Sequence, residues 1–330
     1  MTNPIDNPIP IIKVGQPLQL GPPDTEKHLI IVPKLGEGDD REKERMEDET
    51  PRKFQVSARF ARGDESHSNL IFNFDNEAGD SHFTFPENSN YIEVETSIGQ
   101  CYLFANKNNR LSTARFTCTA TSVGSAGSIL KEIILLFLDH LAYKYCTPIH
   151  LVQISAYDET HKIRYSDVRC PYPEVVLGES LGKITTTLAP VYAMYREAIN
   201  ASSPFYKFFC FYKILEGLLK PLKAKIYTEA KQKSVTLPSL KAIVPSYEDI
   251  PEDQKPYVGK PVKRFFDEFL TNRFRNDMAH FILDEGAVLN VSNIKDRQRY
   301  TAIVHVAKLC CDQVISHFET CVDILEGHEK

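Results

Sequence analysis

The chain has no tryptophan, only four methionines and no run of eighteen apolar residues. Without such a run no helix is expected to cross a bilayer, and no membrane partner is expected. The start, Met1-Thr-Asn-Pro-Ile-Asp, has neither a charged n-region nor an apolar h-region. No secretory signal is therefore expected, and the cytoplasm is the default location. The eight cysteines form no C-x-x-C pair, and most sit inside apolar periodic runs. They read as buried thiols of a reducing compartment, neither a disulfide framework nor a zinc site. No H-x-x-x-H or H-E-x-x-H occurs, and His140 and His150 have no partner at ligand spacing. No metal and no cofactor is expected.

Two glycine patterns are also poor phosphate loops. Gly124-Ser-Ala-Gly127-Ser opens a helix after a strand but lacks the lysine of a P-loop. It reads as a plain strand-to-helix turn. Gly178 to Thr185 has three residues between its glycines instead of four, and one residue too many before the threonine.

What remains is an ordinary composition, 42% apolar and 25% charged, over 330 residues, enough for two domains. Residues 1–53 read as a flexible segment, with seven prolines by residue 33 and a mixed-charge run from Gly36 to Thr50. Ile9–Val14 and Leu29–Val32 could each add a strand to the next domain. From Phe54 the apolar period is two. Phe54–Phe60, Leu70–Phe74, His82–Phe85, Tyr91–Glu95, Tyr102–Phe104 and Ala114–Ala120 alternate between turn-forming clusters. A helix at Ile129–Tyr145, capped by Ser125 or Ser128, comes next, then strands at Ile149–Tyr157 and Lys162–Val168. The fold class is therefore α+β, with a mainly antiparallel sheet and one covering helix over residues 54–175.

Beyond Leu188 strand signals vanish, and residues 186–330 read as an all-α bundle. Helices are expected at 189–200, at 204–219 (continuing to 233 past a break at Pro221), at 260–281 and at 294–325. A proline-punctuated excursion with one short helix at Ser239–Val244 separates the second from the third.

The third of these helices carries Phe274-Arg275-Asn276-Asp277-Met278-Ala279-His280. At about 100° per residue Asn276 and His280 share a face, and the long Arg275 side chain spans the offset to them. The cluster reads either as an anion site or as a helix-end arrangement of structural polar groups. Between Lys207 and Lys233 seven lysines face two acids, against a net charge of −5 for the whole chain. Lys207, Lys213, Lys220 and Lys223 either gather a polyanion or form a solvated face. The block Phe205-Tyr-Lys-Phe-Phe-Cys-Phe-Tyr212 either stacks bases or fills the core.

Arg275-Asn276…His280, with Leu215-Glu216 about sixty residues earlier, resembles the R-x4-6-H signature of HEPN domains over roughly residues 186–325. The whole chain is also similar to the methylamine-utilisation J-type proteins. The first resemblance implies a HEPN-like bundle that dimerises through its helices and cleaves RNA without metal. Arg275, Asn276 and His280 would be catalytic, and Glu216 would hold Arg275 unless it is an ordinary surface carboxylate. It further implies a toxin or a stress or defence effector. The front domain would then sense or dock, engaging a regulatory partner protein. Many HEPN-like domains are instead non-catalytic interaction or nucleotide-binding modules, and that reading stays open.

Overall fold

A computed structural model describes residues 26–36, 40–63, 79–87, 89, 91–96, 99–169, 186–247, 250–279 and 289–327. The chain forms two compact units, Met1–Val175 and Val176–Lys330. The first is built on an antiparallel sheet and the second is helical, so the α+β class holds.

In the first unit the strands are β1 (Glu26–Ile31), β2 (Arg52–Ala61), β3 (Tyr91–Thr96), β4 (Gly99–Ala105), β5 (Leu111–Ala120), β6 (His150–Asp158) and β7 (Arg164–Arg169). They line up as β1-β7-β6-β2-β5-β4-β3, and every pairing is antiparallel. Alternation decides the faces. Phe54, Val56 and Ala58 on β2 sit across from Cys118, Phe116 and Ala114 on β5, and all are buried, as is Phe60. Helix α2 (Val123–Tyr145) covers that face with Ala126, Leu130, Ile134 and Leu138. Each of the larger apolar side chains stabilises by about 1.5–3 kcal/mol through burial.

Several boundaries differ from the sequence reading. Helix α2 begins earlier than expected, because Ser122 is the cap. Its hydroxyl accepts the Ser125 N–H at 3.1 Å while the Ser125 hydroxyl accepts the Ser122 N–H at 3.0 Å. Gly127 then lies inside the helix, where a Cβ would sit 2.8 Å from the Tyr165 ring, so it serves close helix–sheet packing. The His82–Phe85 strand is not formed. Instead Phe85 N–H binds the Asn109 carbonyl and Leu111 N–H the Phe83 carbonyl, both at the β4–β5 turn. The Leu70–Phe74 and Ile9–Val14 strands fall outside the described residues.

Within residues 1–53, β1 pairs with β7, and the short α1 (Glu42–Glu47) turns Arg45 inward. Its guanidinium donates to the carbonyls of Pro33 (2.6 Å) and His161 (3.2 Å). Asp158, fully buried at the end of β6, receives Arg52 Nε at 2.7 Å and the N–H groups of Thr160 and His161 at 2.9 and 3.1 Å.

The second unit contains α3 (Ala189–Asn200), α4 (Pro204–Leu219), α5 (Pro221–Gln232), α6 (Val262–Phe265), a π-helical stretch (Phe266–Arg275), α7 (Asn276–Ala279) and α8 (Ile294–Gly327). Helices α4 and α8 form its spine. On α8 Tyr300, Ile303, Ala307, Cys310, Cys311, Val314, Phe318, Cys321 and Leu325 are buried, keeping the three-four rhythm. Among the seven described cysteines, all free, only Cys146 is exposed.

The expected helix at Ser239–Val244 is absent. Prolines at both flanks leave too few residues for a stable turn. The extended chain pairs instead with residues 259–262 through Val244 N–H to Lys260, Gly259 N–H to Val244 and Val262 N–H to Ala242.

Two histidines tie this unit's stability to pH. The His305 imidazole is held below its ordinary 6.5 by burial and by the Lys308 charge. That of His317 is held down by burial and by Lys223. In the window below about pH 6.5 the unfolded chain binds protons that the folded chain refuses. Stability is therefore complete above that value and falls as pH drops. We expect the urea midpoint of the helical unit to decline from pH 7 to pH 5, and to decline less in His305→Gln/His317→Gln.

Candidate functional site

Within the π-helical stretch, aromatics one wide turn apart meet. Phe269 and Phe274 are five apart, one wide turn, and their ring centroids lie 5.7 Å from each other. The Asn276 N–H reaches back to the Thr271 carbonyl, five residues earlier. The Thr271 hydroxyl donates to the Phe266 carbonyl at 2.8 Å and meets the Tyr212 hydroxyl at 3.2 Å. Stacked Tyr212–Phe266 rings (4.9 Å) fasten this stretch to α4. The extra residue per turn shifts Arg275 and Asn276 from the angles an α-helix would give.

The turn bearing Arg275 is fixed from α8. Tyr300 Oη donates to the Phe274 carbonyl at 2.9 Å, and Arg299 Nη2 donates to the preceding carbonyl, that of Arg273. Arg299 Nη1 also pairs with Asp277 at 2.8 Å, and its guanidinium carbon lies 4.6 Å from the Phe274 ring centroid. Sequence reasoning does not single out these anchors. The Asp277–Arg299 pair spans two helices, and no periodic pattern encodes such a contact. Tyr300→Phe removes this buried hydrogen bond to the Phe274 carbonyl. It should cost about 0.5–1.5 kcal/mol in urea unfolding of the helical unit.

Arg275 itself is exposed and donates from Nη1 to Asn276 Oδ1 at 3.1 Å. Asn276 is half-buried. His280 lies outside the described residues. Glu216 does not form an ion pair with Arg275. Its carboxylate accepts from Lys213 at 2.7 Å and lies 3.9 Å from Lys220. The Lys213 hydrogen bond, with the Lys213, Lys220 and Arg275 charges, holds it below its ordinary 4.5 against the opposing effect of burial.

The lysines separate. Lys213 and Lys220 are exposed, and Lys223 is half-buried with its Nζ 5.8 Å from the Tyr227 ring centroid. Lys207 does not belong to the exposed set. It is 5% exposed, and burial pushes its ammonium down to about 8. The aromatic block separates too. Phe205, Phe208, Phe211 and Tyr212 are core, whereas Tyr206 and Phe209 face outward.

The remaining histidines of α8 pack. His305 meets the Tyr247 ring edge-on at 5.0 Å, and His317 lies between Tyr227 Oη (3.4 Å) and Cys321 Sγ (3.5 Å). Among the described residues no group of His, Cys, Asp or Glu is arranged to hold a metal ion. No described helix is long and apolar enough to cross a membrane.

The geometry defines a helical unit that presents an arginine–asparagine turn and, on α4, a lysine-flanked glutamate. Within that unit residues 191–316 match the family model described as methylamine utilization protein MauJ. The match runs from α3 into α8 and includes the stretch carrying Arg275, Asn276 and Glu216. It supports a MauJ-like relationship for this C-terminal region and does not extend over the sheet unit. No curated protein and no solved structure matched the chain.

Proposed function

We propose that the helical unit binds RNA and cleaves it without metal, as its resemblance to HEPN domains implies. The observation that carries this reading is the exposed Arg275 guanidinium, hydrogen-bonded to Asn276, in the same helical unit as the Lys213–Glu216–Lys220 group. A forked, permanently charged side chain suits the phosphate oxygens on which negative charge builds. Asn276 orients that cation or binds phosphate beside it. His280 takes the proton from a ribose 2′-hydroxyl or returns one to the leaving 5′-oxygen, since its ordinary pKa lies near 6.5.

One protomer offers one such histidine, so a two-fold dimer through the helical unit supplies both acid and base. The sheet unit senses or docks a regulatory partner, and the protein works in the cytoplasm as a toxin or a stress or defence effector. Incubation of the full chain with mixed RNAs in excess chelator tests the proposal. Cleavage is expected, and intact RNA would refute it.

A second reading has its own support. Arg273 pairs with Asp253 at 3.2 Å and Arg299 with Asp277 at 2.8 Å, so two neighbouring cations are committed to structure. A non-catalytic accessory module would extend that pattern to Arg275. It predicts that Arg275→Ala lowers the melting temperature and that no cleavage exists to lose.

A further inference from the structure

We infer that the outer face of α4 is a docking track for single-stranded RNA, with Tyr206 and Phe209 stacking bases ahead of the Arg275 turn. This rests on the functional reading above and extends it to how the strand is held. At about 100° per residue Tyr206, Phe209, Lys213, Glu216 and Lys220 fall within about 80° of one another, a single stripe. It is the face α4 leaves to solvent. Tyr206 is 46% and Phe209 38% exposed, while the residues between them are core. The stripe changes character along its length. Aromatic rings come first, then Lys213, whose Nζ lies 5.8 Å from the Phe209 ring centroid, and then the Glu216–Lys220 pair, with Lys220 Nζ 5.1 Å from the ring centroid of Phe266 in the stretch that ends at Arg275.

Rings followed by cations match a ligand with flat bases and a charged backbone. From Tyr206 to Glu216 the helix rises about 15 Å, room for a few extended nucleotides. The cations of the stripe and turn (Lys213, Lys220 and Arg275) outnumber Glu216 on the stripe, and Asp277 of the turn is paired with Arg299.

Gly217 is a separate observation. A glycine inside a helix costs about 0.5–1 kcal/mol relative to alanine. Close packing does not account for it, because a Cβ there meets nothing within 4 Å among the described residues. It leaves bare backbone at the edge of the stripe, beside Lys213 and Lys220, where a sugar-phosphate chain can approach.

The test is binding of the full chain to a labelled 2′-O-methyl RNA 12-mer, read by fluorescence anisotropy. This probe cannot be cut through its 2′-oxygen, so binding is measured apart from chemistry. The wild type should bind the single strand at least tenfold more tightly than the same strand annealed to its complement. Tyr206→Leu/Phe209→Leu should weaken single-strand binding at least tenfold, and Phe209→Tyr in place of Phe209→Leu should restore part of the loss.

Unchanged affinity in the leucine variant would overturn the track while leaving RNA cleavage standing. Loss of self-association in sedimentation without loss of affinity would also overturn it, making the face a contact between two copies. Ring-dependent binding by a chain that cuts no RNA would uphold the track and refute the cleavage proposal. Absence of any binding by the wild type would refute both.

Discussion

Arg275→Ala is expected to lower single-turnover RNA cleavage by the full chain about a hundredfold or more, with the melting temperature almost unchanged. The two halves of that expectation come from one fact. The guanidinium is solvent-exposed, and its hydrogen bond goes to the neighbouring Asn276 side chain, so removing it leaves no buried group without a partner. Removing a fixed donor from developing charge costs about a hundredfold to a thousandfold in rate. Lysine at this position keeps the charge but not the fork, so Arg275→Lys should recover only part of the activity. His280→Ala should remove about a hundredfold to ten-thousandfold, the usual contribution of a general acid or base. If either alanine variant cleaves at the wild-type rate, that residue is not catalytic. If the melting temperature of Arg275→Ala falls by many degrees, the side chain is structural and the accessory reading gains.

The largest stability effect should come from the other unit. Asp158→Ala is expected to remove about 3–5 kcal/mol, the usual cost of breaking a buried ion pair from one side. The aspartate is completely buried, and its loss strips Arg52 Nε of a 2.7 Å partner. The Thr160 and His161 N–H groups, which shape the β6–β7 turn, lose their acceptor as well. Arg52 Nη1 keeps the carbonyls of Asp48, Thr50 and Thr121, which limits the damage. Asp158→Asn retains an oxygen for the turn and should cost less. In urea unfolding followed by hydrogen exchange, amides of β6 and β7 should lose protection at lower urea while those of α4 and α8 keep theirs. A shift worth less than about 1 kcal/mol would mean the pair is dispensable.

Much of the framework is legible in the sequence because it is local. Strand alternation at Phe54–Phe60, Tyr91–Glu95, Tyr102–Phe104 and Ala114–Ala120 and the three-four rhythm of α8 are properties of short windows, and each survives in the fold. The failures are places where a distant group decides. The π-helical stretch reads as ordinary helix, although Phe269 and Phe274 already stand five apart. Tyr212 and Thr271, brought together from separate helices, help hold the wider turn.

Charge alone groups Lys207 with its neighbours. Its angle on α4 places it about 140° from the exposed stripe, among Phe208 and Phe211, so helical geometry excludes it. Arg275 and Asn276 stand out by motif alone. What fastens them, Arg299 and Tyr300 reaching consecutive carbonyls, involves a pairing across two helices that no spacing rule encodes.

The chemistry of the ends left on cut RNA tests the central claim most directly. The full chain is incubated with a defined single-stranded RNA in excess chelator, and the fragments are weighed by mass spectrometry. Attack by a ribose 2′-oxygen predicts fragments ending in 2′,3′-cyclic phosphate, paired with fragments beginning in a free 5′-hydroxyl. Intact RNA, or 5′-phosphate ends that form only when a divalent metal is restored, would contradict it.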